Sequence, residues 1–480
     1  MIRDFIQNFQ LINKNRILSI LSVLLISAYN APFLFLEDLS VLNIKKLFVI
    51  YQHIIPIVIF LTLLIFFDIK SIFKKIFLNR DYLLVTLFFL TFILQLYGVF
   101  FSELKLFFPI NEVTSQPDNA VLINSEVKYV RFVYVINSIN LFFLLSLLHL
   151  RNILELFIFI LISILLVVFA FYSVRILGEY FTTDSSIYFY ESRVLALGTD
   201  LFSFIPQPRS TGLSRTALII SIFLTLYFLI KEKTNSFVLL SVITFLNFFI
   251  FHFQTRFGIY CFIILNIFFI LLSWKGILRS LRSKIFILFL IFFPMLLSYS
   301  VAKIKINIVL NEYCKQSKID CADYKVTQSK LESFGTSTSR ATNVKLHGLS
   351  NRDKIWKIIL NDYDRLPLMG YGVLGDRFAY STSASNVFIY SLISGGILNV
   401  VLMFYFFTHL ALKIIFLLRA RNLNNNYNLL FLFSLLMILA FSLRSLVENS
   451  IAQFSIDLMI FLPALFYVHK YFLAQKKLNK

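Results

Sequence analysis

The chain has 480 residues, 59% of them hydrophobic and 15% charged, with a mean hydropathy of +0.81. Soluble globular chains hold roughly 45–50% apolar and ~25% charged residues, so the composition argues against a water-soluble domain and for a bilayer-embedded chain. The net charge of +20 does not imply a nucleic-acid partner, because the Lys and Arg residues lie between apolar runs and no compact basic domain stands outside them.

In chain order, runs long enough to cross ~30 Å of hydrocarbon predict about twelve transmembrane helices. They fall near 17–36, 47–68, 82–101, 130–150, 153–173, 212–230, 236–253, 258–274, 284–302, 387–408, 428–448 and 454–474. The expected fold is an all-α polytopic membrane protein. Residues 1–302 would carry helices one to nine, with outer loops at 102–129 and 174–211. Residues 303–386 would form one large outer loop, and 387–480 would hold helices ten to twelve. Short loops rich in Lys and Arg stay in the cytoplasm. Lys70, Lys74, Lys75 and Arg80, and later Lys275, Arg279, Arg282 and Lys284, then place both termini inside. The first span lacks a small-residue cleavage site and reads as an uncleaved anchor.

Ionisable groups inside spans are costly and point to function. Under this topology Arg131, Arg175, Arg215, Arg444, Glu448 and Asp457 fall near outer helix ends, and Arg209 and Arg256 lie just outside. An ion-coupled pump would place such groups at the midplane, so the pattern predicts a site open to the outer face. The competing reading of each arginine is a side chain that snorkels to the headgroups. Arg209-Ser-Thr-Gly-Leu-Ser-Arg215 opens a span whose N-terminus faces out. Free helix N–H groups flanked by guanidiniums suit phosphate, as does bidentate Arg. Thr255-Arg256-Phe-Gly258 reads as a tight outer turn. Ser350 to Tyr363 reads as an amphipathic helix near 351–364, with Ile355, Trp356, Ile359, Leu360 and Tyr363 as one apolar stripe. Pro367 stops it, and Gly370-Tyr-Gly372 turns the chain toward Asp376, Arg377 and Asn386. Arg444 and Glu448 are spaced to pair on one helix, and Asp457 needs a partner within the last span.

Cys314 and Cys321 share the large loop, where an oxidising compartment would allow a disulfide or two free thiols. No Cys/His cluster has metal-ligand spacing, so neither a metal nor a cofactor is expected. No internal repeat supports a transporter built from two related halves, which counts against a lipid-linked oligosaccharide flippase.

The order of these motifs resembles the O-antigen ligase/polymerase family of bacterial envelope proteins over about residues 205–410. Arg209-Ser-Thr-Gly212 is similar to its Arg-x-x-Gly start of a central span, and Thr255-Arg256-Phe-Gly258 to its Ser-Arg-x-Gly turn. Arg352-x-x-x-Trp356 followed by Pro367-Leu-Met-Gly-Tyr-Gly372 resembles the Arg…Trp…Pro-Leu-x-Gly-x-Gly stretch of the large loop. Ser385-Asn386, with Gly395-Gly-Ile in the following span, resembles the family's His-Asn element. The resemblance implies a GT-C-type glycosyltransferase of the bacterial inner membrane with a periplasmic active site. Its donor would be a glycan on undecaprenyl pyrophosphate, its surroundings the lipid bilayer, and a chain-length regulator an additional partner. Arg209, Arg215, Arg256, Arg352, Arg377, Asn386 and Arg444 become candidate substrate-binding residues. Glu448, Asp457 and Asp376 are candidate acid/base groups, with His347 as an alternative. Ser385 stands where the family carries His, which favours a polymerase over a ligase that loads lipid A core.

Overall fold

The computed structural model describes residues 14–27, 44–102, 124–182, 210–230, 236–252, 261–264, 267, 289, 292–297, 300, 352–380, 383–419, 429–449 and 451–478. Among them all regular structure is helical. In chain order the elements are α1 (residues 14–27), α2 (Ile44–Phe66), α3 (Ile69–Ile72, continued by a π turn Phe73–Phe77), α4 (Leu83–Phe101), α5 (Asn124–Leu150) and α6 (Leu154–Thr182). There follow α7 (Ser210–Ile230), α8 (Ser236–His252), α9 (Arg352–Asn361), α10 (Gly375–Tyr380), α11 (Val387–Arg419), α12 (Leu429–Ser445) and α13 (Ile456–Leu478).

Among the described residues five helices are long and apolar enough to cross a membrane: Arg80–Phe101, Lys128–Leu150, Leu154–Ser173, Val387–Leu417 and Ile456–Leu473. A sixth candidate is the pair Ile54–Phe66 and Ile69–Phe77, bent by 87°. The bend falls at residues 67–68, at the end of the span expected at 47–68. Asp68 stops one helix and starts the next by accepting a hydrogen bond from Ser71 N at 3.1 Å. Three shorter apolar helices, Gly212–Phe228, Val238–Ile250 and Leu429–Ser445, coincide with further predicted spans. α5 begins at Asn124 and α6 continues to Thr182, so helix extends into stretches expected to be outer loops.

The chain divides into two compact units. The first comprises residues 1–29, 46–161 and 348–480; the second comprises 30–45 and 162–347. In the first, α4 packs along α11, α12 along α13, and α5 against both α4 and α13. Phenylalanine fills the contacts. Phe88 of α4 stacks on Phe406 of α11 at 4.7 Å and meets Phe142 of α5 and Phe461 of α13 edge-on at 5.8 and 5.7 Å. α5 and α13 are largely buried, whereas α11 turns Ile397, Val401, Phe404 and Leu412 outward. An exposed apolar face of this length is what lipid covers and water does not. In the second unit α7 pairs with α8, Ser221 hydrogen-bonds Asn247 in their contact, and Phe169 packs on Phe245 and Phe249.

The helix of α11 is broken. Gly395 and Gly396 leave helical geometry, with Gly396 at φ 67°. Unbroken, the 31 residues of Val387–Leu417 would reach about 46 Å, far beyond the ~30 Å of hydrocarbon. The part after the break, 397–417, is about 31 Å long. The part after the break is thus long enough by itself to cross the hydrocarbon.

Candidate functional site

The break in α11 frees two carbonyls, and the Pro367–Gly372 stretch fills the gap. Tyr371 N donates to Ile393 O at 2.6 Å, and Gly372 N to Ser394 O at 2.8 Å. The same stretch lies against the end of α4, where Ser102 Oγ donates to Gly370 O at 2.6 Å. The approach is backbone on backbone. A Cβ on Gly98 would sit 2.5 Å from Gly372 N, and one on Gly372 (φ +85) 2.6 Å from Val99 N. The glycines of this motif therefore serve close packing and left-handed turns.

Arg131 of α5 holds the next residue, its Nε donating to Val373 O at 2.9 Å. Its side chain is fully buried, and neither Nη has a hydrogen-bond partner among the described residues. It does not snorkel. Arg444, at the end of α12, is also turned inward and is 4% exposed. Burial inside the bundle replaces the headgroup-facing alternative for both arginines.

Arg444 bridges two carboxylates. Its Nε is 3.0 Å from Glu448 Oε2 and 3.3 Å from Asp457 Oδ2, and its Nη2 also donates to Glu448. The i, i+4 pair forms as spaced, and Arg444 is the partner that Asp457 requires. Asp457 is fully buried, whereas the Glu448 side chain is 31% exposed. Arg352, at the start of α9, approaches Glu448 from the other side, with Nη2 3.8 Å from Oε1 and Nη1 donating to Val447 O at 2.7 Å. Glu448 therefore sits between two guanidiniums, one buried and one partly exposed.

α9 lies over this turn. Trp356 Nε1 donates to Ala384 O at 2.6 Å, and Ile359 is fully buried beneath the helix. The apolar stripe is split, because Leu360 and Tyr363 are exposed. Asp376, in the first turn of α10, is fully buried. Its Oδ2 accepts from Ala384 N at 2.9 Å and from Asn449 Nδ2 at 3.4 Å. Burial raises its pKa above the ordinary carboxylate value, and the neighbouring Arg377 charge and backbone N–H groups pull it back only in part. Arg377 is itself exposed. Asn386 is occupied by structural bonds. Its Oδ1 caps α11 by accepting from Phe388 N and Ile389 N, and its Nδ2 donates to Leu446 O at 2.8 Å. Ser385 takes φ 49° between Ala384 and this cap.

Of the residues expected in the site, Arg352, Asp376, Asn386, Arg444, Glu448 and Asp457 thus gather at one end of the first unit. Arg215 lies on α7 in the second unit, half-buried one turn into the helix that Ser210 starts. Arg209, Arg256, His347, Cys314 and Cys321 lie outside the described residues. Cys261 is buried. Arg131 and Asn449 join the cluster although the candidate site from sequence did not include them. A buried arginine and a snorkelling one share the same sequence signal, and an amide after a helix end carries none. No three His, Cys, Asp or Glu side chains gather as a metal would require among the described residues. No known protein family, curated protein or solved structure matches the chain.

Proposed function

We propose that the protein is an O-antigen polymerase of GT-C type, with twelve spans, cytoplasmic termini and its site on the periplasmic side of the bacterial inner membrane. It would move a growing glycan from undecaprenyl pyrophosphate to the non-reducing end of a lipid-linked repeat unit. The observation that supports this most is Glu448 held between Arg352 and Arg444, with Arg352 and Glu448 partly exposed at one end of an apolar helix bundle. In the reaction the bond from the anomeric carbon to the pyrophosphate oxygen breaks, and the acceptor hydroxyl oxygen bonds to that carbon. Negative charge grows on the departing pyrophosphate, where Arg352 would meet it. The hydroxyl proton goes to Glu448, the one carboxylate of Glu448, Asp457 and Asp376 that reaches solvent.

Deleting the gene and following the lipopolysaccharide ladder tests the reading. Loss of a polymerase leaves core capped by a single repeat, loss of a ligase leaves bare core, and an unchanged ladder sinks both. In complementation, Glu448→Gln and Arg352→Ala should each shorten the ladder to a single repeat while protein levels in the membrane stay normal. Removal of a general base costs about 10²–10⁴ in rate. Long chains from both variants would refute the assigned roles.

A further inference from the structure

Four consecutive residues after α12 are held by the segment Arg352–Asn386, each through a different contact. Leu446 O receives Asn386 Nδ2 at 2.8 Å, and Val447 O receives Arg352 Nη1 at 2.7 Å. Glu448 faces Arg352 at 3.8 Å, and Asn449 Nδ2 reaches Asp376 Oδ2 at 3.4 Å. Asp376 also holds Ala384 N at 2.9 Å, while Ala384 O receives Trp356 Nε1 at 2.6 Å. One carboxylate oxygen therefore joins the end of α12, the residue before the left-handed turn at Ser385, and through Trp356 the helix that carries Arg352. Asp376 itself is fully buried, and both groups that its Oδ2 accepts from belong to the protein.

We infer that Asp376 and Asn449 are positioning residues, whose hydrogen-bonded pair keeps the Glu448 turn in register with Arg352 and α9. The catalytic part of this inference rests on the polymerase reading. The pair itself does not. Positioning requires an acceptor at Oδ2, not a proton that comes and goes, so the amide of Asn should serve in place of the carboxylate. The electrostatics agree. A carboxyl whose pKa is raised on folding contributes stability fully below its unfolded value of 3.8 and loses it as pH rises through the folded value. Asp376→Asn removes a group that favours its neutral form in the fold. It should leave the thermal midpoint at neutral pH equal to or above wild type, with the difference vanishing near pH 3.8.

The test uses the full-length protein in lipid, with Asp376→Asn, Asp376→Ala and Asn449→Asp. Hydrogen exchange over residues 446–452 reads the tie directly. It should be faster by about tenfold in Asp376→Ala and in Asn449→Asp, and near wild type in Asp376→Asn. Steady-state polymerisation of lipid-linked repeats reads the consequence. Asp376→Asn should keep kcat within about threefold with an unchanged pH profile. Asp376→Ala should lose kcat by about 10–100-fold with little change in KM. If Asp376→Ala fails to reach the membrane, Asn449→Asp set against Asp376→Asn carries the same comparison. Loss of activity by more than about 10²-fold in Asp376→Asn, with one limb of the pH profile gone, would make Asp376 an acid or base and overturn the inference. Wild-type exchange rates in Asp376→Ala and Asn449→Asp would overturn it as well. A wild-type protein that forms no polymer refutes the functional reading alone, because the exchange data stand without it.

Discussion

The two ends of the first unit are built from opposite materials. At one end Gly98, Gly372 and Gly396 bring backbones into contact, a helix is broken, Arg131, Asp376, Arg444 and Asp457 are buried, and Arg352 and Glu448 sit partly exposed beside them. At the other end rings close the bundle. Tyr82 OH meets His149 Nε2 at 2.9 Å and packs on the His469 ring at 4.7 Å, His149 lies 5.4 Å from Phe466, and Lys413 stands over Phe472 at 4.8 Å. There α5 and α13 stay helical at His149 and His469, Tyr82 closes the short 3-10 turn that precedes α4, and polar groups act singly or in pairs. Inside lipid a polar group left unsatisfied costs several kcal/mol. Intramembrane charge and strained backbone often mark functional sites. The difference separates a charged end packed backbone on backbone from an end packed by rings.

The largest effect should come from Arg444. Replacing it with Ala strands the fully buried Asp457 without its counter-charge. Loss of one partner of a buried pair costs about 3–5 kcal/mol. Thermal unfolding in detergent should show a fall that large, and the double change Arg444→Met/Asp457→Leu should recover most of it. A wild-type midpoint in Arg444→Ala would mean that the charged end carries no packing burden. Gly396→Ala comes next. Its Cβ would collide with the Leu368 carbonyl oxygen, at φ +67. The backbone conformation alone costs about 1–3 kcal/mol, and the clash must push the Pro367–Gly372 stretch off the break. Thermal stability and the glycan ladder should fall together. Loss of neither would sever the link between the broken helix and the site.

Much of this division was legible in the sequence, and for a physical reason. Apolarity marks the part of a helix that lipid covers. Runs read at 82–101, 212–230 and 428–448 correspond to helices Leu83–Phe101, Ser210–Ile230 and Leu429–Ser445. The same signal is blind to helix that continues into water, so α5 and α6 extend to Asn124 and Thr182. It is also blind to a break within an apolar run, because Gly395-Gly396 lowers hydropathy very little. In the site, the pairing of Arg444 with Glu448 follows from helical spacing. The burial of Asp376 does not, because it depends on Ala384 and Asn449 arriving from different parts of the chain. Asn386 was legible as a motif residue but not as a cap, since a motif records that a residue matters and not whether it binds substrate or backbone.

The smallest change is the sharpest probe of the comparison. Tyr82→Phe removes one hydroxyl and keeps the ring that packs on His469. The lost partner is His149 Nε2, at 2.9 Å, in a partly buried contact. A single hydrogen bond of this kind is worth about 0.5–1.5 kcal/mol net, so the thermal midpoint should drop slightly. The contact lies at the far ends of α4 and α5 from Gly98 and Arg131, with about 25 Å of helix between them. Nothing at the ring-lined end should alter how Glu448 and Arg352 face each other. Glycan chain length in the Tyr82→Phe strain should therefore match wild type. A shortened ladder with normal protein abundance would show that the two ends are coupled through the bundle, and that packing at one end sets the geometry of the other.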